Sequence, residues 1–308
     1  MPLAIFEPLA GDAPPRLGVV TPAGVVAVDG VGAPSAGAAL RDLISDYGVL
    51  DGGLEGLAGD TVPVPLDTVR LRAPLASPAK ILCSLRVTLK PDEIEQRHVF
   101  LKSPGSAIGD GGEVVLPHLP GAEFYTHNLC LAVVIGRRCR DVAAAEWREA
   151  VFGYTAMVDI TGRTGELSRW KDGKSSLGSS CDTFGPLGPW IVPRDVFDED
   201  GGFALSLSCN GQVRQEARIE NLDERIGTVI ELASTIMTLK PGDVIAVEVT
   251  PDGQGPLQHG DQLRVELDGV GRLSASVRDP WGRNWDPEVR VARDADHTDG
   301  QPAPPATA

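Results

Sequence analysis

Asn128-Leu-Cys-Leu-Ala-Val-Val-Ile-Gly136 and Phe152-Gly-Tyr-Thr-Ala-Met-Val-Asp-Ile160 are the two stretches whose reading decides the fold. Each is a short apolar run rich in branched side chains, closed by glycine or a polar residue. Neither alternates cleanly between apolar and polar, so each reads as a strand buried on both faces. Similar runs stand at Ile81-Leu-Cys83, Phe203 to Cys209, Val244 to Val249 and Gln262 to Leu267. The 36 glycines and 25 prolines fall mostly between such runs, as tight connections require. The expectation is an α+β, β-rich protein with one sheet-dominated domain over residues 76–290. A small α/β domain over 1–75 precedes it, with strands Leu17 to Thr21 and Val25 to Val28 about a turn at Pro22-Ala-Gly24, then a helix from Ala38 to Tyr47. Residues 291–308, polar and rich in proline and alanine, read as a disordered tail. Helices are expected at Val142 to Val151 and Ile226 to Thr238. Pro186-Leu-Gly-Pro189 is expected to make a rigid corner, and Pro241-Gly-Asp243 and His259-Gly-Asp261 tight turns feeding strands.

Composition limits the partners. A chain of 308 residues, 42% hydrophobic and 23% charged, can bury a substantial core. Its formal net charge of -15 repels phosphate backbones and anionic lipid headgroups, so nucleic acid and membrane surfaces are poor partners, and a small-molecule substrate is the better expectation. Met1 to Pro15 lacks the basic and apolar segments of a leader, and no apolar run is long enough to span a bilayer. Five cysteines, an odd number without C-x-x-C spacing, argue against a disulfide framework and a zinc knuckle, and fit a reducing cytoplasm. The five histidines are scattered without a metal-ligand spacing.

Seven segments, taken in order, resemble the fumarylacetoacetate hydrolase family: Ala79-Lys-Ile-Leu-Cys83, Val99-Phe-Leu-Lys102, Leu131 to Gly136, Phe152 to Asp159, Asp182-Thr-Phe-Gly-Pro-Leu-Gly-Pro-Trp190, Asn210-Gly-Gln-Val-Arg-Gln215 and Leu239-Lys-Pro-Gly-Asp-Val-Ile245. The order carries the specificity, and the resemblance spans about residues 1 to 280. It implies a mixed β-roll core with a central cleft, and usually a homodimer.

The resemblance also implies where a site belongs. Family members hold Mg²⁺ or another hard divalent cation with a Glu-x-Glu strand motif and a later Asp, because hard cations want several anionic oxygens and then polarise a substrate carbonyl. Here the two Glu positions fall on Asn128 and Cys130, and Asp159 keeps the Asp position. An amide and a soft thiol hold magnesium poorly, so no metal site and no cofactor are expected, with weak Mg²⁺ binding left open. Zinc on His127 and Cys130 would need a bulge, since strand alternation separates the two side chains.

The family's His-x-x-Glu pair on a lid matches Lys90-Pro-Asp-Glu93, so Glu93 is kept and Lys90 stands where the base would be. A lysine of ordinary pKa is protonated at neutral pH, and only burial would fit it for base or Schiff-base work. A solvated Lys–Glu pair is the alternative, and His98 is a further candidate base. The expected catalytic set is therefore Asp159, Glu93, Lys90 and Cys130. The substrate-binding set is Arg163, Lys102, Asn128, Ser179 and Thr250, with Lys174 as an alternative to Ser179. Arg163 either clamps a substrate carboxylate or pairs with Asp182 or another cleft acid, and Lys102 either binds a substrate anion or forms a structural ion pair. Thr250-Pro-Asp-Gly-Gln-Gly255 resembles the family's closing loop, with Glu248 or Val249 standing where a glycine is usual.

Three functions stay open at this level. The first is an enzyme of altered, metal-independent chemistry (lyase, cyclase, isomerase or hydrolase) on a small β-dicarbonyl or 2-oxo-acid-like compound. The second is a non-catalytic ligand-binding or subunit-stabilising protein on the same fold. The third is a Mg²⁺-dependent acylpyruvase-type hydrolase.

Overall fold

The structure, a computed structural model, describes residues 1–28, 35–47, 53–58, 61–75, 78–87, 96–119, 122–164, 175–250 and 252–286. The first 75 residues contribute β1 (Leu3–Pro8), β2 (Arg16–Thr21), β3 (Gly24–Ala27), α1 (Ala36–Asp46), α2 (Gly53–Ala58) and β4 (Val69–Arg72). The rest contribute β5 (Ile81–Val87), β6 (Gln96–Lys102), β7 (Ala107–Ile108), β8 (Gly112–Val115), β9 (Ala122–Ile135), β10 (Val151–Thr164), α3 (Ser175–Ser179) and β11 (Gly185–Pro193). After these come β12 (Phe203–Cys209), β13 (Gln212–Ile219), α4 (Thr228–Ile236), β14 (Val244–Glu248), β15 (Gln262–Leu267) and β16 (Gly271–Arg278). Among the described residues no helix is long and apolar enough to cross a membrane.

Two sheets result. The larger runs β3-β2-β1-β11-β10-β9-β14-β5-β6, with β4 paired to β1 and β7 to β11, and the smaller runs β13-β12-β15-β16-β8. The apolar run of β9 explains the packing. Its odd members Leu129, Leu131, Val133 and Ile135 face one core, with Leu205, Leu207 and Val265 of the smaller sheet and Val229 and Ile230 of α4. Its even members Cys130, Ala132 and Val134 face a second core, with Leu3, Ile5, Leu40 and Leu43 from the N-terminal segment. A strand covered on both sides needs apolar side chains at every position, which is what this sequence supplies. Each fully buried aliphatic side chain contributes roughly 1.5–3 kcal/mol relative to exposure.

The N-terminal segment extends the large sheet, because β1 pairs antiparallel with β11 at Leu3 and Ile191. Helix α1 is capped by Ser35, whose hydroxyl accepts from the Ala38 amide, and it buries Ala39, Leu40, Leu43 and Ile44 at helical spacing.

Two local expectations need correction, and a third is met with an altered start. Residues 144–150 form a 3-10 helix in place of the expected α-helix; its buried residues, Trp147 and Ala150, are three apart, the spacing that three residues per turn aligns. The helix expected over Ile226 to Thr238 is present as α4, and it is preceded by a π turn, Asp223–Gly227, that starts it three residues earlier. Pro186 to Pro189 is not a corner between elements but part of β11, opposite a register irregularity between Tyr154 and Ala156, with Gly188 at φ 145°. Fixed proline dihedrals and a glycine without Cβ are absorbed there by a bulge.

Candidate active site

Three adjacent strands build one polar floor. Asp159 on β10 is in register with Asn128 on β9, and Glu248 on β14 is in register with Cys130 on β9. Residues two apart on a strand share a face, and residues directly opposite on paired strands do as well, so all four side chains project to the same side of the sheet. All four are buried.

Lys102, at the end of β6, reaches this floor from the sheet edge. Its ammonium donates to Asp159 Oδ1 at 2.7 Å, to the Ile160 carbonyl at 3.3 Å and to the Ser179 carbonyl. Three acceptors match the three N–H bonds of an ammonium, so the charge is met inside the protein. Ser179 in turn shares a 2.8 Å hydroxyl hydrogen bond with Thr161.

On the other side Glu248 Oε1 accepts from Asn128 Nδ2 at 2.9 Å and from Gln254 Nε2 at 3.3 Å. Gln254 lies on the loop that follows β14. That loop leaves β9 after the Val249 amide bonds the Leu129 carbonyl and returns at the bridge between Thr126 and Pro256. Gln215 of β13 fills the gap, accepting from the Leu129 amide at 3.0 Å and donating to the Thr250 carbonyl at 2.9 Å. Two backbone partners fix which end of the Gln215 amide is oxygen. That polarity makes Asn128 accept through Oδ1, at 3.4 Å from Gln215 Nε2, and so turn its own N–H donors to Glu248. It also makes His127 the donor, through Nδ1, to Gln215 Oε1 at 3.1 Å. At Gly253, φ is 82° and an added Cβ would lie 1.8 Å from the Arg214 carbonyl, so only glycine lets the loop press onto β13.

Of the residues expected from sequence, Asp159, Lys102, Asn128, Cys130 and Ser179 come together. Lys102 takes the ion-pair role of its two alternatives. Arg163 lies beside the floor, donating through Nε to Thr126 at 3.0 Å and through a terminal nitrogen to Gln254 at 2.7 Å, while Asp182 is exposed. Thr250 serves the loop itself, its hydroxyl accepting from the Asp252 amide. Lys90, Glu93 and Lys174 lie outside the described residues, as does the side chain of His98, whose backbone pairs with Leu85.

Cys130 does not present the activated thiol that a nucleophile requires. Burial, then the nearby Asp159 carboxylate, pushes its pKa well up, and Cys83 on β5 is raised by the same causes. His127 is held neutral, its pKa lowered to about 4 by burial against a raising contribution from Gln215.

Glu248 and Gln215 were not among the site residues expected from sequence. The available signal was a single acid within the otherwise apolar Val244-Ile-Ala-Val-Glu-Val249, and a glutamine five residues after the Asn210 turn.

This donor set does not fit a hard divalent cation. Asp159 is ion-paired, the Asn128 oxygen faces Gln215, the Cys130 position offers a neutral thiol, and Glu248 already accepts two amides on one oxygen. Among the described residues no group of three or more His, Cys, Asp or Glu is arranged to hold a metal ion.

Residues 81–278 match the family model described as fumarylacetoacetate (FAA) hydrolase, C-terminal. Maleylpyruvate hydrolase of Aquipseudomonas alcaligenes is 34% identical over 254 residues, 77% of this chain and 85% of that protein. Oxaloacetate tautomerase of Bacillus subtilis is 31% identical, over 69% of this chain and 74% of its own length. The crystal structure of maleylpyruvate hydrolase from Sphingobium sp. SYK-6 in complex with manganese(II) and pyruvate superposes with a TM-score of 0.75 at 31% identity, covering 91% of this chain and 99% of that one.

Proposed function

The chain belongs to the fumarylacetoacetate hydrolase family, and on that premise we propose that it is an enzyme of altered, metal-independent chemistry acting on a small β-dicarbonyl or 2-oxo-acid-like compound. One observation carries this reading: the buried floor keeps ionic and amide groups, Lys102 with Asp159 and Glu248 with Asn128 and Gln254, where apolar side chains would pack. Taking charges out of water costs several kcal/mol per ion, and well-packed apolar replacements are often as stable or more so, so fold stability alone does not account for them. Relatives named as a hydrolase, a tautomerase and isomerases support proton movement next to a carbonyl as the shared elementary step. In this reading Asp159 and Lys102 form a fixed ionic wall and Arg163 backs Gln254. A homodimer in the cytoplasm is part of the same proposal.

The test is turnover of oxaloacetate, maleylpyruvate and simple acylpyruvates by protein freed of metal with a chelator. Turnover that survives the chelator and is lost in Asp159→Ala is the expected result, together with no micromolar Mg²⁺ or Mn²⁺ binding by calorimetry. Turnover that appears only with added Mg²⁺, or micromolar binding of either ion, would overturn the metal-independent reading in favour of an acylpyruvase-type hydrolase. A second reading, a non-catalytic ligand-binding or subunit-stabilising protein, draws on the way the floor hydrogen-bonds to itself; pyruvate binding without turnover of any of these compounds would select it.

A further inference from the structure

Glu248 ends a strand that is otherwise apolar, and the chain departs from the sheet immediately after it. An ionised carboxylate in that place is costly unless it is hydrogen-bonded. The compensation is built from three separate elements. Asn128 comes from β9, with its amide orientation fixed through Gln215 of β13, and Gln254 comes from the loop after β14, with its oxygen held by Arg163. The carboxylate is therefore held in one position by a network anchored on backbone groups, next to the Cys130 position and across β9 from Asp159.

The two carboxylates of the floor are treated differently. Asp159 accepts from the Lys102 ammonium, which the Ile160 carbonyl shares, and Glu248 accepts from the Asn128 and Gln254 amides. Pairs of carboxyl groups with distinct surroundings commonly divide a reaction between a group that moves a proton and a group that keeps its charge.

Resting on the proposed 2-oxo-acid or β-dicarbonyl substrate, we infer that Glu248 is the acid–base residue of the cleft and that Gln215 and Gln254 are its positioning residues. The step conserves every atom. Glu248 takes a proton from the carbon next to the carbonyl, the C–H electron pair becomes the C=C bond, and the carbonyl π pair becomes the lone pair of an enolate oxygen. Return of the same proton to that oxygen completes the keto-to-enol change, with no oxidant, reductant or second substrate.

The experiment follows oxaloacetate keto–enol interconversion by enol absorbance in wild type, Glu248→Gln, Glu248→Asp and Glu248→Ala. Glu248→Gln keeps the size and an oxygen acceptor but cannot carry the proton, so kcat falls by about 100-fold or more while KM stays within about threefold. Glu248→Asp retains more turnover than Glu248→Gln, and added formate restores turnover to Glu248→Ala by about tenfold, which a purely structural role would not allow. The inference is overturned if wild type is active and Glu248→Gln retains more than about a tenth of its kcat, or if only KM changes. Should Glu248→Gln fail to fold, a folded Glu248→Asp with wild-type kcat overturns it equally. Wild-type protein that turns over none of the test compounds removes the proposed function and this inference together, so the two failures are told apart by the wild type alone.

Discussion

Two ion pairs in this molecule have nearly the same length and opposite circumstances. Lys102 meets Asp159 at 2.7 Å with side chains 0% and 3% exposed, while Arg278 meets Glu113 at 2.6 Å with side chains 44% and 48% exposed. Distance does not distinguish them. The first joins β6 to β10 beneath the candidate site, where neither charge reaches water. The second joins parallel neighbours β16 and β8 on the surface, where water and salt compete for both partners. A buried pair is therefore a commitment of the fold: removing one partner strands the other, although the intact pair adds little net stability.

The largest effect follows from that asymmetry. Lys102→Met leaves Asp159 buried without its ammonium, and urea unfolding should show a loss of roughly 3–5 kcal/mol. Adding Asp159→Leu should recover most of it; failure to recover would mean that the site depends on charge for more than pairing.

A buried titratable group hydrogen-bonded to a neutral amide gives an intermediate case. His127 has a folded pKa of about 4, below the roughly 6.5 of an unfolded histidine, so protons bind preferentially to the unfolded chain between these values. Its share of stability is intact above pH ~6.5, falls as pH drops towards 4, and amounts to about 3 kcal/mol when fully lost. Unfolding free energies at pH 7.5 and pH 4 measure it, and His127→Phe should flatten that part of the profile. An unchanged profile in the variant would assign the acid sensitivity to other groups.

The smallest effect belongs to the surface pair. Arg278→Gln should change stability by less than about 1 kcal/mol, with the difference shrinking further in high salt. A loss comparable to that of Lys102→Met would break the distinction drawn between the two pairs.

How much of this was legible beforehand differs from residue to residue. Leu129 to Ile135 and Gly153 to Ile160 announce strands because burial on both faces demands apolar side chains throughout, and β9 and β10 contain them. Strands carrying mixed side chains, such as Gln212–Ile219 and Gly271–Arg278, went unread because pairing partners, not local pattern, stabilise them. At the site, Asn128, Cys130 and Asp159 follow from the resemblance to the family's strand motif, and Lys102 from the same resemblance with two roles left open. Glu248 stood in plain view as a lone acid in an apolar strand, yet its partners Asn128 and Gln254 are 120 and 6 residues away in sequence.

The sequence by itself determined the β-rich architecture, the family, and the presence of an amide and a thiol, Asn128 and Cys130, in β9, because apolar periodicity and residue identity are local properties. Only the tertiary structure decided that Glu248 of β14 joins Asp159 on one floor, that Lys102 is spent on Asp159, and that Gln215 dictates which way Asn128 points. Those outcomes depend on strand register and hydrogen-bond direction between distant segments, and no local pattern encodes either.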